Sequence, residues 1–322
     1  MDTETEATPM RFLVPSVPEV VDAVSRRALT DRVIPPLSAV VEEARPRQWS
    51  KNLFLFAGLI FGERLASGEA WVGAVLGFLL FCGASSAAYL VNDVLDAPRD
   101  RTHPLKRHRP IARGDLGATA ALVLGSILAA AALAGSFVLP APFRAILAAF
   151  VALQLVYTLF LKHIVVVDLL SIAALFVLRA AAGAAAIGVR ISPWLLVCTG
   201  LLSLLLATAK RRAEASAAPP SNPAAGRPVL RHYSALALDR LIAAVAVATF
   251  ACYCVYAFAG SKTDLIALTI PWVALGLARY VTLVTRHSLG EEPENVLLSD
   301  RVMMATIAVW TLVAALVFAV FA

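Results

Sequence analysis

The stretch Asn92–Arg113, NDVLDAPRDRTHPLKRHRPIAR, holds the residues whose types and spacing point most directly to chemistry. Asp93, Asp96 and Asp100 stand at i, i+3 and i+7. On a helix Asp93 and Asp100 lie within about 20° of each other and Asp96 about 60° away, so all three carboxylates share a face. Pro98 is expected to kink or end that helix after Asp96, because it lacks the N–H that a helix interior uses. Three carboxylates on one face repel unless a cation sits between them. Hard oxygen donors suit Mg²⁺, which takes one or two carboxylates and completes its shell with water and phosphate oxygens. Asn92 adds a neutral oxygen ligand or a hydrogen-bond donor beside them, and the run Arg99, Arg101, Lys106, Arg107, Arg109 and Arg113 supplies charge to hold phosphate. Acid and base at one level read as a metal–diphosphate site. The plainer alternative is a solvated loop whose cations only set topology.

These residues need a scaffold, and composition names it. Of 322 residues, 60% are hydrophobic and 16% charged, against about 45–50% and 25% in a soluble domain. Mean hydropathy is +0.78. Disorder, collagen and a disulfide-stapled module are excluded, and the expected class is an all-α polytopic membrane protein. Cys82, Cys198, Cys252 and Cys254 fall inside apolar runs and form no disulfide framework. The acidic start MDTETEATPM is followed by no early apolar run, so no cleavable signal is expected.

Charge-poor runs long enough to span predict nine transmembrane helices, at 48–66, 71–91, 116–143, 145–161, 164–189, 191–209, 241–261, 265–285 and 302–322. Residues 1–43 are expected to form a partly disordered arm with a surface helix near Val20–Ala28, and 44–322 one transmembrane domain. Ala215–Pro228 reads as a mobile loop. Lys and Arg divide 23 against 4 between the two sides, with Arg179 left inside. The basic side is cytoplasmic by the positive-inside rule, so the N-terminus is cytoplasmic and nine spans put the C-terminus outside.

Asp168 and Arg179 lie within one predicted span, where a central charge costs roughly 2.5–3.5 kcal/mol. Eleven residues apart, they share a face but stand about 16 Å apart along it, too far to pair. Asp168 is near enough to the basic surface to bind hydroxyls or orient Lys162, whereas Arg179 reads as a partner for a polar group on another span. The five histidines have no zinc spacing. The basic residues follow a membrane face without aromatic platforms, which argues against nucleic acid.

The run from Asn92 to Pro110 resembles the first aspartate-rich motif of the UbiA superfamily of intramembrane prenyltransferases, NDxxDxxxDxxHPxKxxRP, at every fixed position. The resemblance extends from about Ala44 to the C-terminus and implies a nine-helix bundle with a cytoplasmic-side polar site. Aromatic-prenyl members carry a second motif, DxxxD, where this chain has Lys210, Arg211, Arg212, Ala213 and Glu214. That replacement, with ARPRQWSKN at Ala44–Asn52 and YTLFLKH at Tyr157–His163, resembles the decaprenyl-phosphate phosphoribosyltransferase branch. Members of that branch usually read KRYAE, so Arg212 departs from the pattern.

The resemblance implies attack of a polyprenyl phosphate on 5-phosphoribosyl-1-diphosphate, with Mg²⁺ on Asp93, Asp96 and Asp100. It also implies substrate contacts from Arg47, Lys51, Asn92, Lys106, Arg109, Tyr157, Lys162, Asp168, Lys210 and Arg211. The expected setting is the bacterial inner membrane, with membrane lipids as further partners, no nucleic acid, and a homo-oligomer left open. Two rivals remain at this level: an aromatic prenyltransferase using a polyprenyl diphosphate, and a non-catalytic transporter or scaffold.

Overall fold

The computed structural model describes residues 35–217, 234–261, 263–287 and 299–321, and every regular element among them is helical. The predicted helix near Val20–Ala28 lies outside these residues, as does most of the predicted loop Ala215–Pro228. Among the described residues eight helices are long and apolar enough to cross a membrane. In chain order the elements begin with α1 (Leu37–Ala44), a 3₁₀ segment Pro46–Phe56 running into α2 (Ala57–Phe61), and α3 (Gly68–Asp100). They continue with the short α4 (Pro110–Arg113), α5 (Ala118–Gly135), α6 (Ala141–Leu159) and α7 (Val167–Ala186). The second half holds α8 (Pro193–Ala217), α9 (Ala235–Val255), α10 (Ile270–His287) and α11 (Arg301–Phe321).

The ninth expected span, 48–66, falls on the segment 46–61, which is shorter than any of the eight. It is a 3₁₀ helix followed by five α-helical residues, and its first seven residues, PRQWSKN, are mostly polar, so it is not one of the eight long apolar helices. Of the two outcomes expected at Pro98, a kink or an end, the end does not occur. The helix does not stop after Asp96 but runs to Asp100 with Pro98 inside it. Pro98 falls in the last turn, where little of the ladder remains to be lost, so the acidic face survives intact.

Among the described residues five hydrophobic clusters hold the bundle, and the two largest lie one in each half. In the first half Leu55, Phe81, Phe143, Leu147 and Phe150 meet the small residues of α7, with Phe81 and Phe150 ring centroids 4.8 Å apart. In the second half Leu205, Ile242, Tyr280, Val284 and Met303 join α8 to α11. Small residues let α7 approach its neighbours closely: Ala180–Ala186 are all buried, and a Cβ on Gly183 would stand 1.9 Å from the Leu55 carbonyl oxygen. Arg212 ties the second half together. It pairs with Asp239 and donates to the carbonyls of Val284 and Thr285 at 3.0 and 3.1 Å, satisfying acceptors near the C-terminal end of α10.

Candidate functional site

The acidic face of α3 sits at the end of the bundle where α1, α4, the turn after α6 and the start of α7 converge. Asp93 is buried, and Arg45 and Arg109 both reach it, Arg109 Nη1 at 3.4 Å. The same Nη1 lies 2.6 Å from Asp100, so one guanidinium bridges the two carboxylates that helical spacing places together. Asn92 Nδ2 donates to Asp93 at 3.1 Å. Asp96 faces slightly aside and takes Lys162 Nζ at 2.8 Å, while the same ammonium donates to Asn92 Oδ1 at 3.2 Å.

Lys162 comes from the 3₁₀ turn Leu161–His163 after α6 and is 5% exposed, which makes it a buried ion-pair partner instead of a snorkelling lysine. It reaches Asp96 and Asn92, both on α3. Asp168 is fully buried in the first turn of α7. It accepts from the Tyr157 hydroxyl at 2.9 Å and pairs with Arg211 Nε at 2.6 Å. Arg211, itself 1% exposed, also pairs with Glu214. Thus Tyr157, Asp168 and Arg211 form a second cluster, built across α6, α7 and α8.

The remaining predicted residues are placed less centrally. Arg47 is exposed on the 3₁₀ segment, Lys51 donates to Gln48 on the same segment, Lys106 lies in the turn beyond Asp100, and Lys210 precedes Arg211 on α8. Arg179 stays apart from both clusters. Its Nε donates to Asn52 Oδ1 at 2.9 Å and its Nη1 to the Leu175 carbonyl at 3.1 Å, between the rings of Phe150 and Phe176.

Two participants escaped the sequence reading. Arg45 reaches Asp93 and stacks 5.2 Å over the Tyr89 ring. Glu43, on α1, is 1% exposed with its carboxyl against Asp93, yet neither oxygen makes a hydrogen bond of regular geometry. Burial, then the hydrogen-bonding contact and charge of Asp93, push Glu43 up to about 9. A signal existed: VVEEARP places one acid of the pair on the side of a short amphipathic helix that bears Ala39 inward.

The donor set of the acidic face is entirely oxygen, which fits Mg²⁺. Among the described residues no three His, Cys, Asp or Glu side chains converge into a ready metal cluster. Mg²⁺ requires no such cage, since one or two carboxylates with water and phosphate oxygens complete its shell.

An all-helical membrane bundle with an aspartate-rich face flanked by buried cations defines an intramembrane transferase of one class, and residues 53–299 match the UbiA prenyltransferase family. The chain belongs to that family. The decaprenyl-phosphate phosphoribosyltransferase of Mycolicibacterium smegmatis is 33% identical over 288 residues, covering 85% of this chain and 90% of that protein. The enzyme of the same name from Corynebacterium glutamicum is 32% identical, covering 84% of each. The fold is also that of a UbiA homologue from Archaeoglobus fulgidus solved with DMAPP and Mg²⁺, at 19% identity and a TM-score of 0.67 over 88% of this chain and 99% of that one.

Proposed function

We propose that this protein transfers the 5-phosphoribosyl group of 5-phosphoribosyl-1-diphosphate to a polyprenyl phosphate, decaprenyl phosphate being the expected acceptor, and releases diphosphate. One observation carries the choice of substrate. At the position of a second acidic motif stands Arg211, buried and bound to Asp168 and Glu214. With one acidic face and cations on its flanks, the site matches a donor that has phosphate at both ends. The relatives named above support the same reading.

In the reaction, an ionised phosphate oxygen of the lipid attacks C1 of the ribose as the bond from C1 to the diphosphate oxygen breaks. The nucleophile is already charged near neutral pH and needs no strong base. Positive charge develops at C1, as in glycoside chemistry. Asp93, Asp96 and Asp100 with Asn92 would hold Mg²⁺, whose contribution is to neutralise charge on the departing diphosphate. Lys162, Arg45 and Arg109, fixed by those carboxylates, add positive potential that needs no rearrangement as the leaving group forms. Tyr157, aimed by Asp168, orients the ribose end of the donor. Lys106 and Lys210 meet the donor phosphates, and Arg47 and Lys51 the lipid headgroup.

The polyprenyl chain stays in hydrocarbon between apolar spans, with only its phosphate at the polar site. The setting is the bacterial inner membrane, with the N-terminus and the acidic face on the cytoplasmic side, and the product serves cell-wall arabinan synthesis. A donor swap on the purified protein with Mg²⁺ tests the reading. Lipid-linked phosphoribose from 5-phosphoribosyl-1-diphosphate and polyprenyl phosphate is expected. Product only from polyprenyl diphosphate and 4-hydroxybenzoate would overturn it in favour of an aromatic prenyltransferase.

A further inference from the structure

All four cysteines fall in apolar runs, a pattern that argues against a disulfide framework. Packing nevertheless brings two of them together. Cys198 Sγ lies 3.6 Å from Cys252 Sγ, in the range of a weak thiol–thiol hydrogen bond, although 54 residues separate them. Both are half-buried, whereas Cys82 is buried on α3 against Asn52. Cys254 stands two positions after Cys252, about 200° round the helix, and so belongs to another face.

The pair occupies a defined place in the bundle. The chain leaves α8 at Ala217 and enters α9 at Ala235, so these antiparallel helices are joined at the polar end. Near that end Arg212 pairs with Asp239. Cys198 precedes Arg212 by 14 residues and Cys252 follows Asp239 by 13, so the thiols mark the same register about 20 Å farther along. Between the two pairs, Leu205 and Ala209 of α8 pack in one cluster with Ile242 and Val245 of α9. At the thiol end the backbone does not connect the two helices. There α8 begins at Pro193, after α7, and α9 passes into the π-helical turn Tyr256–Gly260. A helical hairpin is held least firmly where its arms are not joined, and a covalent bond there has the most motion to remove.

A disulfide is about 2.05 Å long, so the two sulfurs have less than about 2 Å to travel. Cys198 also lines a cavity of about 210 Å³ that has Ser192 and Ser261 on its wall, which gives a reagent a way to its sulfur. We infer that Cys198 and Cys252 form a reversible disulfide that ties α8 to α9 at the end opposite the acidic face. The oxidant is another disulfide, small or protein-borne. The Cys198 thiol loses its proton to water, its sulfur attacks the donor disulfide, and the first donor thiolate leaves and takes up a proton. The Cys252 sulfur then attacks Cys198 in the mixed disulfide, and its proton goes to the second donor thiolate as that departs. Two protein thiols and one donor disulfide thus become one protein disulfide and two donor thiols. The inference stands apart from the transfer reaction. With the acidic face cytoplasmic, as proposed above, the pair lies toward the side on which disulfides persist.

The test uses the full chain in nanodiscs, reduced, freed of reductant and exposed to oxidised glutathione, then denatured and alkylated with N-ethylmaleimide. Intact mass is expected to show two alkylated cysteines instead of four and the loss of two hydrogens, and digestion a peptide linked through Cys198 and Cys252. The link should form and vanish along one curve as the ratio of oxidised to reduced glutathione is raised and lowered. Cys254→Ser keeps it, and Cys198→Ser abolishes it and leaves Cys252 open to alkylation. Four alkylated cysteines, glutathione retained on Cys198 without closure, or a link through Cys82 or Cys254 overturns the inference. So does a link that reduced glutathione fails to reverse. Should Cys198→Ser not fold, the peptide map of the parent protein decides by itself.

Discussion

Arg211 and Arg179 are both buried guanidiniums in the same bundle, 1% and 4% exposed, and they are held by opposite means. Arg211 sits at the polar end between two carboxylates, Asp168 and Glu214. Arg179 lies deep in α7 with an amide oxygen, a backbone carbonyl and two aromatic faces, and no carboxylate pairs with it among the described residues. Formal charges suit a place where charged substrates arrive and leave, because ion partners can be traded there. Neutral dipoles and ring faces suit a place where nothing is exchanged and the charge has only to be tolerated. The two regions therefore separate chemistry from architecture, and substitutions should separate them too.

The largest effect is expected on the acidic face. Asp93→Ala or Asp96→Ala should lower phosphoribosyl transfer at least about a hundredfold while the protein still inserts. Radiolabelled donor incorporation into lipid measures this, and full activity in both variants would remove these carboxylates from the chemistry. Next comes the Arg211 cluster. Asp168→Asn should cost about 3 kcal/mol of stability, because a buried cation loses a partner. The pair Asp168→Leu with Arg211→Met should recover most of that stability in thermal melts yet stay inactive. A double variant that regains activity would make the cluster architectural, like Arg179.

For Arg179→Met the expected cost is smaller, about 1–2 kcal/mol, the worth of its hydrogen bonds with the charge removed. Transfer should stay within a few-fold of the parent. A hundredfold loss of turnover at unchanged stability would break the contrast by placing Arg179 at a substrate. Glu43 sharpens the contrast by pH. Its carboxyl titrates near 4.5 when unfolded and about 9 when folded, so the folded chain holds a proton that the unfolded chain has released. Its contribution to stability is therefore greatest below about 4.5, falls as pH rises through that window, and levels off above about 9. Glu43→Gln should become more stable relative to the parent between pH 5 and 8.5, read as a widening difference in Tm. The smallest effect is expected from Arg212→Tyr, the residue usual in the resembling branch. It loosens the joint between α8, α9 and α10, lowering Tm by a few degrees with activity kept.

The spans were legible because hydrophobic runs bounded by charge obey one rule, the thickness of hydrocarbon. The first expected span proved to be a 3₁₀ helix running into a short α-helix and is not among the eight long apolar helices, since nothing in Pro46–Phe56 announces a tighter winding. The i, i+7 spacing correctly put Asp93 and Asp100 together, whereas the Lys162–Asp96 pair spans 66 residues and follows no periodicity. Arg211 was singled out for its position, but its commitment to Asp168, 43 residues away, is a fact of packing. Glu43 stayed hidden for the same reason: its neighbour Asp93 lies on another element.

The run Ala180–Ala186 of α7 has one more consequence. Alanine and glycine have no rotamers to freeze, so this helix is clamped between its neighbours at almost no cost in side-chain entropy. Within that run there are no χ angles to readjust, so displacement of the segment packed on it is passed into the backbone of α7. Asp168 sits in the first turn of that helix. The position of the carboxylate that aims Tyr157 and anchors Arg211 is thus set by backbone contacts such as Gly183 on Leu55, far from the polar end, and added volume there should misplace it.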